Sequence, residues 1–483
     1  MRTIQRAGVT EVPAEKRNLG LVSGSRPETM GLKPTLHVIF ALLPYVLVRL
    51  PISILFRYAI LRDRDNIYRE IGRPWSGEYV CKICRYLITN CYAVEGRLLF
   101  NRDKAYDMAY LNWGEYKEWS NPRISVNGTT GRWIAPPGSK RSEDQIVLYY
   151  VHGGGFVLDT AGAAQDYFLF LAKELNIKRN VQFSVFQLDY ADVELAPEFK
   201  FPSQQIEIQA GYHYLVNNQG IDPKTIVVSG DSAGGNLVAS WLLHVARPCS
   251  LIKVPAELGP TPPRPGGVLL ISPYLRILSS STSSYKNIQY DSIGLNGTFY
   301  PVLDYIGVHD TSSIKMPAWN EENGHGSPDA AQKVMDSIPF RPGDEAKGGL
   351  GLLKSPYVNP SMCEDPEWLA EAYPGGGCTA MSWGGKELLA DDCALAVDAM
   401  EKAGIAPVRL VKELGIHDWI IYDSVSHRLD RRFVHVSMAT ESFFVNQSVP
   451  GLWKTKTGGR EDDPHYNVLV ASEFLQSFAK KTK

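Results

Sequence analysis

An α/β fold with a mostly parallel central sheet is the architecture that this chain of 483 residues predicts, and three observations carry it. The first is an apolar β-branched run, Thr225-Ile226-Val227-Val228, that leads into Gly230-Asp231-Ser232-Ala233-Gly234 and then into apolar residues at helical spacing: Leu237, Val238, Trp241, Leu242 and Val245. The second is another buried-strand run, 145–151, that ends in His152-Gly153-Gly154-Gly155-Phe156. The third is that strand-like runs keep alternating with turns and helical patterns downstream, at 267–271, 378–383 and 408–412, as parallel βαβ units require.

Each element has a physical reason. A strand that turns at once into a helix around Ser232 needs small neighbours, because the backbone there is strained and the serine Oγ must stand clear of bulk. Ser232 is therefore a candidate nucleophile, although a glycine-rich helix start also suits close packing of helix on strand. Three successive glycines after the 145–151 strand leave N–H groups free to face a developing oxyanion, and Gly154, Gly155 and Ala233 are the candidate donors. A flexible turn is the other reading of the same glycines.

A base and an orienting carboxylate should follow in the order serine, acid, histidine. His417 lies in Gly415-Ile416-His417-Asp418-Trp419 just after the strand 408–412, where it can reach back over the sheet edge. Glu387 follows the strand 378–383 and precedes a helix running to about Lys402. Loops at the carboxyl ends of strands collect catalytic groups in open α/β sheets. Taken singly, His417 could be a core or surface histidine, and Glu387, Asp391 and Asp392 could be an acidic helix start favoured by the helix dipole. Their order in the chain is what points to one site.

With these motifs in place the chain resembles the hormone-sensitive-lipase branch of the α/β-hydrolases, closest in organisation to arylacetamide deacetylases and steryl acetyl hydrolases, over roughly 140–480. His152 to Gly155 match the oxyanion segment of that family and Gly230 to Gly234 its nucleophile segment. Asp189-Tyr190, Leu195-Ala196-Pro197-Glu198 and Phe201-Pro202 match a further conserved stretch of the family, with a short insertion after the tyrosine. The family's acid motif aligns with Glu387-Leu388-Leu389-Ala390-Asp391-Asp392, so glutamate stands where the family has aspartate; Asp392 is the second choice and Asp391 the third. The resemblance implies an α/β-hydrolase fold and a serine carboxylesterase acting through Ser232, His417 and Glu387. The implied substrate is a small hydrophobic ester, with a short acyl group such as acetyl on an alcohol such as a sterol or a secondary metabolite. It implies no cofactor and no metal. An acyltransferase or amidase would keep the same triad, and non-catalytic ligand receptors also occur on this fold, though His417 argues against one.

Composition agrees with this class. At 44% apolar the chain can bury a large core, and a net charge of −2 gives no reason to expect a nucleic-acid partner. Cys81, Cys84 and Cys91 stand at helical spacing and read as one packed face rather than a metal or redox pair. The expected organisation is a disordered tail (1–35), an apolar anchor or cap helix (36–61), a cap or N-terminal extension (62–139) and the catalytic domain (140–483). The segment from Leu36 to Leu61 is long enough to span a bilayer, which takes about 20 residues. Arg49, Pro44 and Pro51 speak against a simple spanning helix, since a midplane charge costs roughly 3 kcal/mol, and leave an interfacial or re-entrant anchor or a cap helix as alternatives. Membrane association, at the endoplasmic reticulum, is the expected localisation. The three sequons at Asn127, Asn296 and Asn446 would need a lumenal domain, while Lys480-Lys481-Thr482-Lys483 resembles a dilysine retrieval signal that needs a cytosolic tail. Long insertions after Tyr274 and after Asp418, together with 63–135, are expected to build lids and pockets.

Overall fold

The computed structural model describes residues 32–60, 67–70, 75–90, 106 and 114–482, apart from 159, 161, 191–199, 260–261, 309–327, 339–347 and 424–465. The eight strands among the described residues form one sheet. They are β1 (Ile124–Val126), β2 (Thr129–Ile134), β3 (Ile146–Val151), β4 (Phe183–Leu188), β5 (Ile226–Asp231), β6 (Gly267–Ile271), β7 (Thr379–Gly384) and β8 (Val408–Lys412), in the spatial order β1-β2-β4-β3-β5-β6-β7-β8. From β4 to β8 every pairing is parallel, and β1 and β2 add an antiparallel edge.

The helices used below are α1 (Thr35–Tyr58), α2 (Trp75–Asn90), α3 (Gln165–Lys173), α4 (Ser203–His213), α5 (Ser232–Ala246), α6 (Leu295–Tyr305), α7 (Ala390–Lys402) and α8 (Tyr466–Lys481). Side-chain alternation on β3 shows how the layers form. Val147, Tyr149 and Val151 join the core under α4, α5 and α7, whereas Ile146, Leu148 and Tyr150 join the core under α3 and α8. A strand covered on both faces buries every residue, which is why β3 reads as an unbroken apolar run. Each large apolar side chain so buried contributes about 1.5–3 kcal/mol.

The sheet reaches upstream of residue 140, the expected start of the catalytic domain. β1 and β2 pair through an Asn127-Gly128 turn in which both residues have positive φ, 48° and 85°, the geometry that matches hairpin twist. The same turn engages the first sequon in the fold: Asn127 Nδ2 donates to the Ala210 carbonyl at 3.2 Å, and buried Thr129 Oγ1 donates to Glu207 at 2.7 Å.

α1 runs through both prolines as one helix. Leu43 N–H bonds the carbonyl of Val38, and Leu50 N–H that of Tyr45, five residues back in each case. These widened turns lie just ahead of Pro44 and Pro51, which lack an N–H and crowd the four-back carbonyl. Leu42, Leu50 and Ile54 are buried on one stripe, while Phe40 is 74% exposed and Leu47, Ile52, Leu55 and Ile60 are also open. The buried stripe meets α2: Tyr79 OH bonds the Val46 carbonyl at 2.9 Å, Tyr45 stacks on Tyr86 at 4.2 Å, and Arg57 pairs with Glu78 at 2.7 Å. α2 in turn packs against α6, and buried Cys81 packs with Tyr68 and Ile416. Among the described cysteines none forms a disulfide. Lys481 on α8 donates to the Gly376 carbonyl at 2.7 Å, so the second lysine of the dilysine pair is held by the fold.

Candidate active site

Ser232 sits at the β5–α5 junction with φ +48°, a left-handed conformation rare for a side-chain-bearing residue. The close approach behind it explains the glycines: a Cβ on Gly230 would stand 2.5 Å from the Gly234 carbonyl oxygen, and one on Gly234 2.2 Å from that of Val151. Opposite the serine, Gly154 has φ +98° and turns its carbonyl to the N–H groups of Val157 and Leu158. The N–H groups of Gly154 and Gly155 donate to no described residue, and that of Ala233 lies in the first turn of α5, where no four-back carbonyl exists.

Side chains brace this loop. Asp231 accepts the Gly153 N–H at 2.8 Å and also the Tyr150 hydroxyl. Tyr190 donates to the His152 carbonyl at 2.9 Å and stacks its ring on the His152 imidazole at 4.1 Å. Phe156 stacks on Tyr305 of α6, and Pro301 lies over Gly155, so α6 roofs the loop. The Leu195 to Glu198 stretch of the family match lies outside the described residues.

His417 arrives from the loop after β8 and places Nε2 2.9 Å from Ser232 Oγ. Burial lowers its pKa to about 3, which keeps the ring neutral and able to accept a proton at neutral pH. Glu387, fully buried after β7, accepts the Ser272 hydroxyl at 2.7 Å and the Gly384 N–H at 2.9 Å, both on Oε2. Its Oε1 and the Nδ1 of His417 are both buried without a hydrogen-bond partner, so the acid–base hydrogen bond is not formed in this arrangement. Such bonds are often long until substrate binds. Burial, then the like charge of Asp291, pushes Glu387 well above the usual carboxylate range.

Asp391 and Asp392 turn the other way. Asp391 accepts the Ser283 N–H at 2.8 Å, and Asp392 accepts from Ser281 at 3.4 Å and stands 3.6 Å from Arg276. Neither bonds His417.

Four residues around the site were missed from sequence. Ser272 donates to Glu387 and accepts the Asp418 N–H at 3.0 Å, linking the acid loop to the base loop through one hydroxyl. Asp418, with φ +56°, brings a carboxyl oxygen 3.2 Å from His417 Nε2. Burial, then the charge of Asp231, raises Asp418 strongly, and burial raises Asp231 to about 6. Asp291 and Tyr190 are the other two. Only Tyr190 carried a signal, as part of the family-like Asp189-Tyr190 stretch.

Residues 148–299 match a protein family described as alpha/beta hydrolase fold. An esterase of Acinetobacter venetianus is 31% identical over 178 residues, which is 36% of this chain and 50% of the relative. Arylacetamide deacetylase of Rattus norvegicus is 35% identical over 153 residues, 30% of this chain and 33% of the relative. The chain thus spans half or less of these curated relatives. The crystal structure of an esterase from the bacterial hormone-sensitive lipase family superposes on 73% of this chain and 91% of its own, with a TM-score of 0.45 and 21% identity.

Proposed function

We propose that the chain is a serine carboxylesterase of the α/β-hydrolase fold that cleaves short-acyl esters of hydrophobic alcohols. The observation that carries this reading is the 2.9 Å contact between His417 Nε2 and an Oγ held on a left-handed turn.

In the proposed reaction His417 takes the Ser232 proton as Oγ bonds to the ester carbonyl carbon. The carbonyl oxygen becomes an oxyanion facing the N–H groups of Gly154, Gly155 and Ala233; one such donor is worth about 10²–10³ in kcat. Collapse breaks the bond to the alcohol oxygen, and His417 returns the proton to the leaving alcohol. Water, deprotonated by His417, then attacks the acyl carbonyl carbon; the bond to Ser232 Oγ breaks, His417 returns the proton to Oγ, and the acid is released. Glu387 is the orienting acid: its free Oε1 and the free His417 Nδ1 are the pair that a bound substrate would bring together.

The short acyl group is supported by the name of one relative, arylacetamide deacetylase, and a hydrophobic substrate by α1, which is long and apolar enough to cross a membrane and mostly unburied. Membrane attachment through α1 is part of the proposal, and residence at the endoplasmic reticulum is its natural setting for such substrates. The test is labelling with a fluorophosphonate followed by a panel of esters of rising acyl length, with products measured with and without an alcohol acceptor. Labelling at Ser232 and release of free acid support the esterase; acyl transfer to the acceptor would make it a transferase, and no labelling would sink the triad reading.

A further inference from the structure

In the connection between β6 and α6 one carboxylate reaches both of the loops that carry the acid and the base. Asp291 is fully buried. Its Oδ1 accepts the backbone N–H of His417 at 3.0 Å and that of Ser292 at 2.7 Å, while Oδ2 accepts the backbone N–H of Leu388, the residue after Glu387, at 2.7 Å. The turn that leads to it is fastened to the acid loop: Asn287 Nδ2 donates to the carbonyls of Gly385 at 3.2 Å and Glu387 at 3.0 Å, and Ser283 Oγ to that of Leu388 at 2.8 Å. Arg85 of α2 donates to the Asp291 backbone carbonyl oxygen, so the helix packed against α1 also holds the backbone that carries this carboxylate.

We propose that Asp291 is a positioning residue that sets the distance between the acid loop and the base loop, with Arg85 fixing its backbone from α2. The proposal rests on the triad reading of Ser232, His417 and Glu387. Its physical basis is that the β7–β8 ladder ends at residue 412 and a single backbone bond, Lys386 N–H to the Gly415 carbonyl at 2.9 Å, continues it ahead of Glu387 and His417, so the placement of those two residues depends on what else bridges the loops. Ser272 supplies one bridge through a hydroxyl, and Asp291 supplies a second through two charge-assisted bonds, which are about twice as strong as neutral ones. A carboxylate suits the place because three N–H donors converge on it. An amide of equal size would turn its NH₂ group toward at least one of those donors and lose that bond.

The decisive experiment compares wild-type, Asp291→Asn, Arg85→Gln and Asp365→Asn in the full-length protein in detergent, with p-nitrophenyl acetate turnover and the rate of fluorophosphonate labelling. Asp365 caps a helix remote from the site and serves as a structural control. If positioning is the role, Asp291→Asn lowers kcat by about 10²-fold, the loss typical of a 1 Å misplacement, leaves KM within about threefold, and slows labelling in parallel. Arg85→Gln lowers kcat several-fold with KM unchanged, and Asp365→Asn leaves both constants alone. Wild-type protein that fails to label would overturn the triad reading itself. A labelling wild type with Asp291→Asn within about threefold in kcat would overturn this inference alone. Should Asp291→Asn fail to fold, Arg85→Gln decides, because unchanged kcat there overturns the proposal as stated, in which Arg85 fixes the backbone that carries the carboxylate.

Discussion

The nucleophile side of the site and its acid–base side are built by different means. On the nucleophile side, β3 and β5 are adjacent parallel strands, paired from Val147 with Ile226 to Val151 with Gly230, and the oxyanion loop and the serine turn grow from their ends. Backbone register brings Gly154 and Ser232 to one place, and the side chains of Asp231 and Tyr190 then hold the oxyanion loop there. On the acid–base side, β7 and β8 deliver Glu387 and His417 to neighbouring loops, and then side chains from elsewhere take over: Ser272, Asp291 and Asn287 from the connection after β6, and Arg85 from α2. A site half of which is fixed by strand register and half by long-range polar bracing should respond to mutation differently on its two halves.

The largest effect is expected on the register-built half. Ser232→Ala should leave the fold intact and reduce ester turnover by about four to six orders of magnitude, to what binding and the oxyanion loop alone supply. Measured kcat on p-nitrophenyl acetate near the wild-type value would break the assignment of the nucleophile.

Next comes the braced half. Glu387→Gln should lower kcat by about 10³–10⁴-fold with KM little changed, because the carboxylate orients His417 and stabilises its charged form rather than binding substrate. Asp392→Asn, on a carboxyl that faces Arg276 and Ser281, should be nearly silent. The reverse pattern would show that the acid loop is misaligned and that the free Glu387 Oε1 has another purpose.

The same division explains what could be read from the chain. β3 and β5 to β8 announce themselves as apolar runs because parallel strands are covered on both faces, and the serine turn because its sterics demand small residues at fixed places. β4 hides behind Ser184 and Gln187, polar residues that are fully buried and bonded to partners far off in sequence, Asp144 and Gln165. β1 and β2 hide because a short edge hairpin buries too little to show a run; its Asn127-Gly128 turn also reads as a sequon. For Asp291 there is no local signal at all. One carboxylate in a long polar connection looks like any other until the fold sets it 3.0 Å from the His417 N–H. Glu387 shows the mixed case: its position after β7 follows from the strand pattern, while its unpaired oxygen facing the needs of His417 is a property of packing.

A pH profile sharpens the comparison further. His417 acts as a base only when neutral, and the neutral form is present above its pKa. Burial lowers that pKa from 6.5 to about 3, so the acid limb of kcat/KM should fall well below 6.5, by at least about one unit. A limb centred at 6.5 would mean that the imidazole is solvated, or paired with an ionised Glu387 that restores its basicity. Either result reports whether the acid–base side closes before or after substrate arrives.

The smallest effect on chemistry should come from α1. Full-length protein should sediment with membranes and resist an alkaline carbonate wash, whereas a protein beginning near Asp63 should be soluble or only peripherally bound. The reason is area: exposed apolar surface is disfavoured by about 25 cal/mol per Å², and α1 leaves Phe40, Leu47, Ile52 and Leu55 uncovered. Because α2 and its Arg85 bond to Asp291 remain after this truncation, kcat on a short soluble ester should stay within about threefold of full length. The contrast to measure is between that ester and a long hydrophobic one presented in vesicles, for which the truncated protein should lose turnover through KM. If instead the truncation lowers kcat on the soluble ester, α1 braces the catalytic loops through α2, and the acid–base half of the site extends to α1 itself.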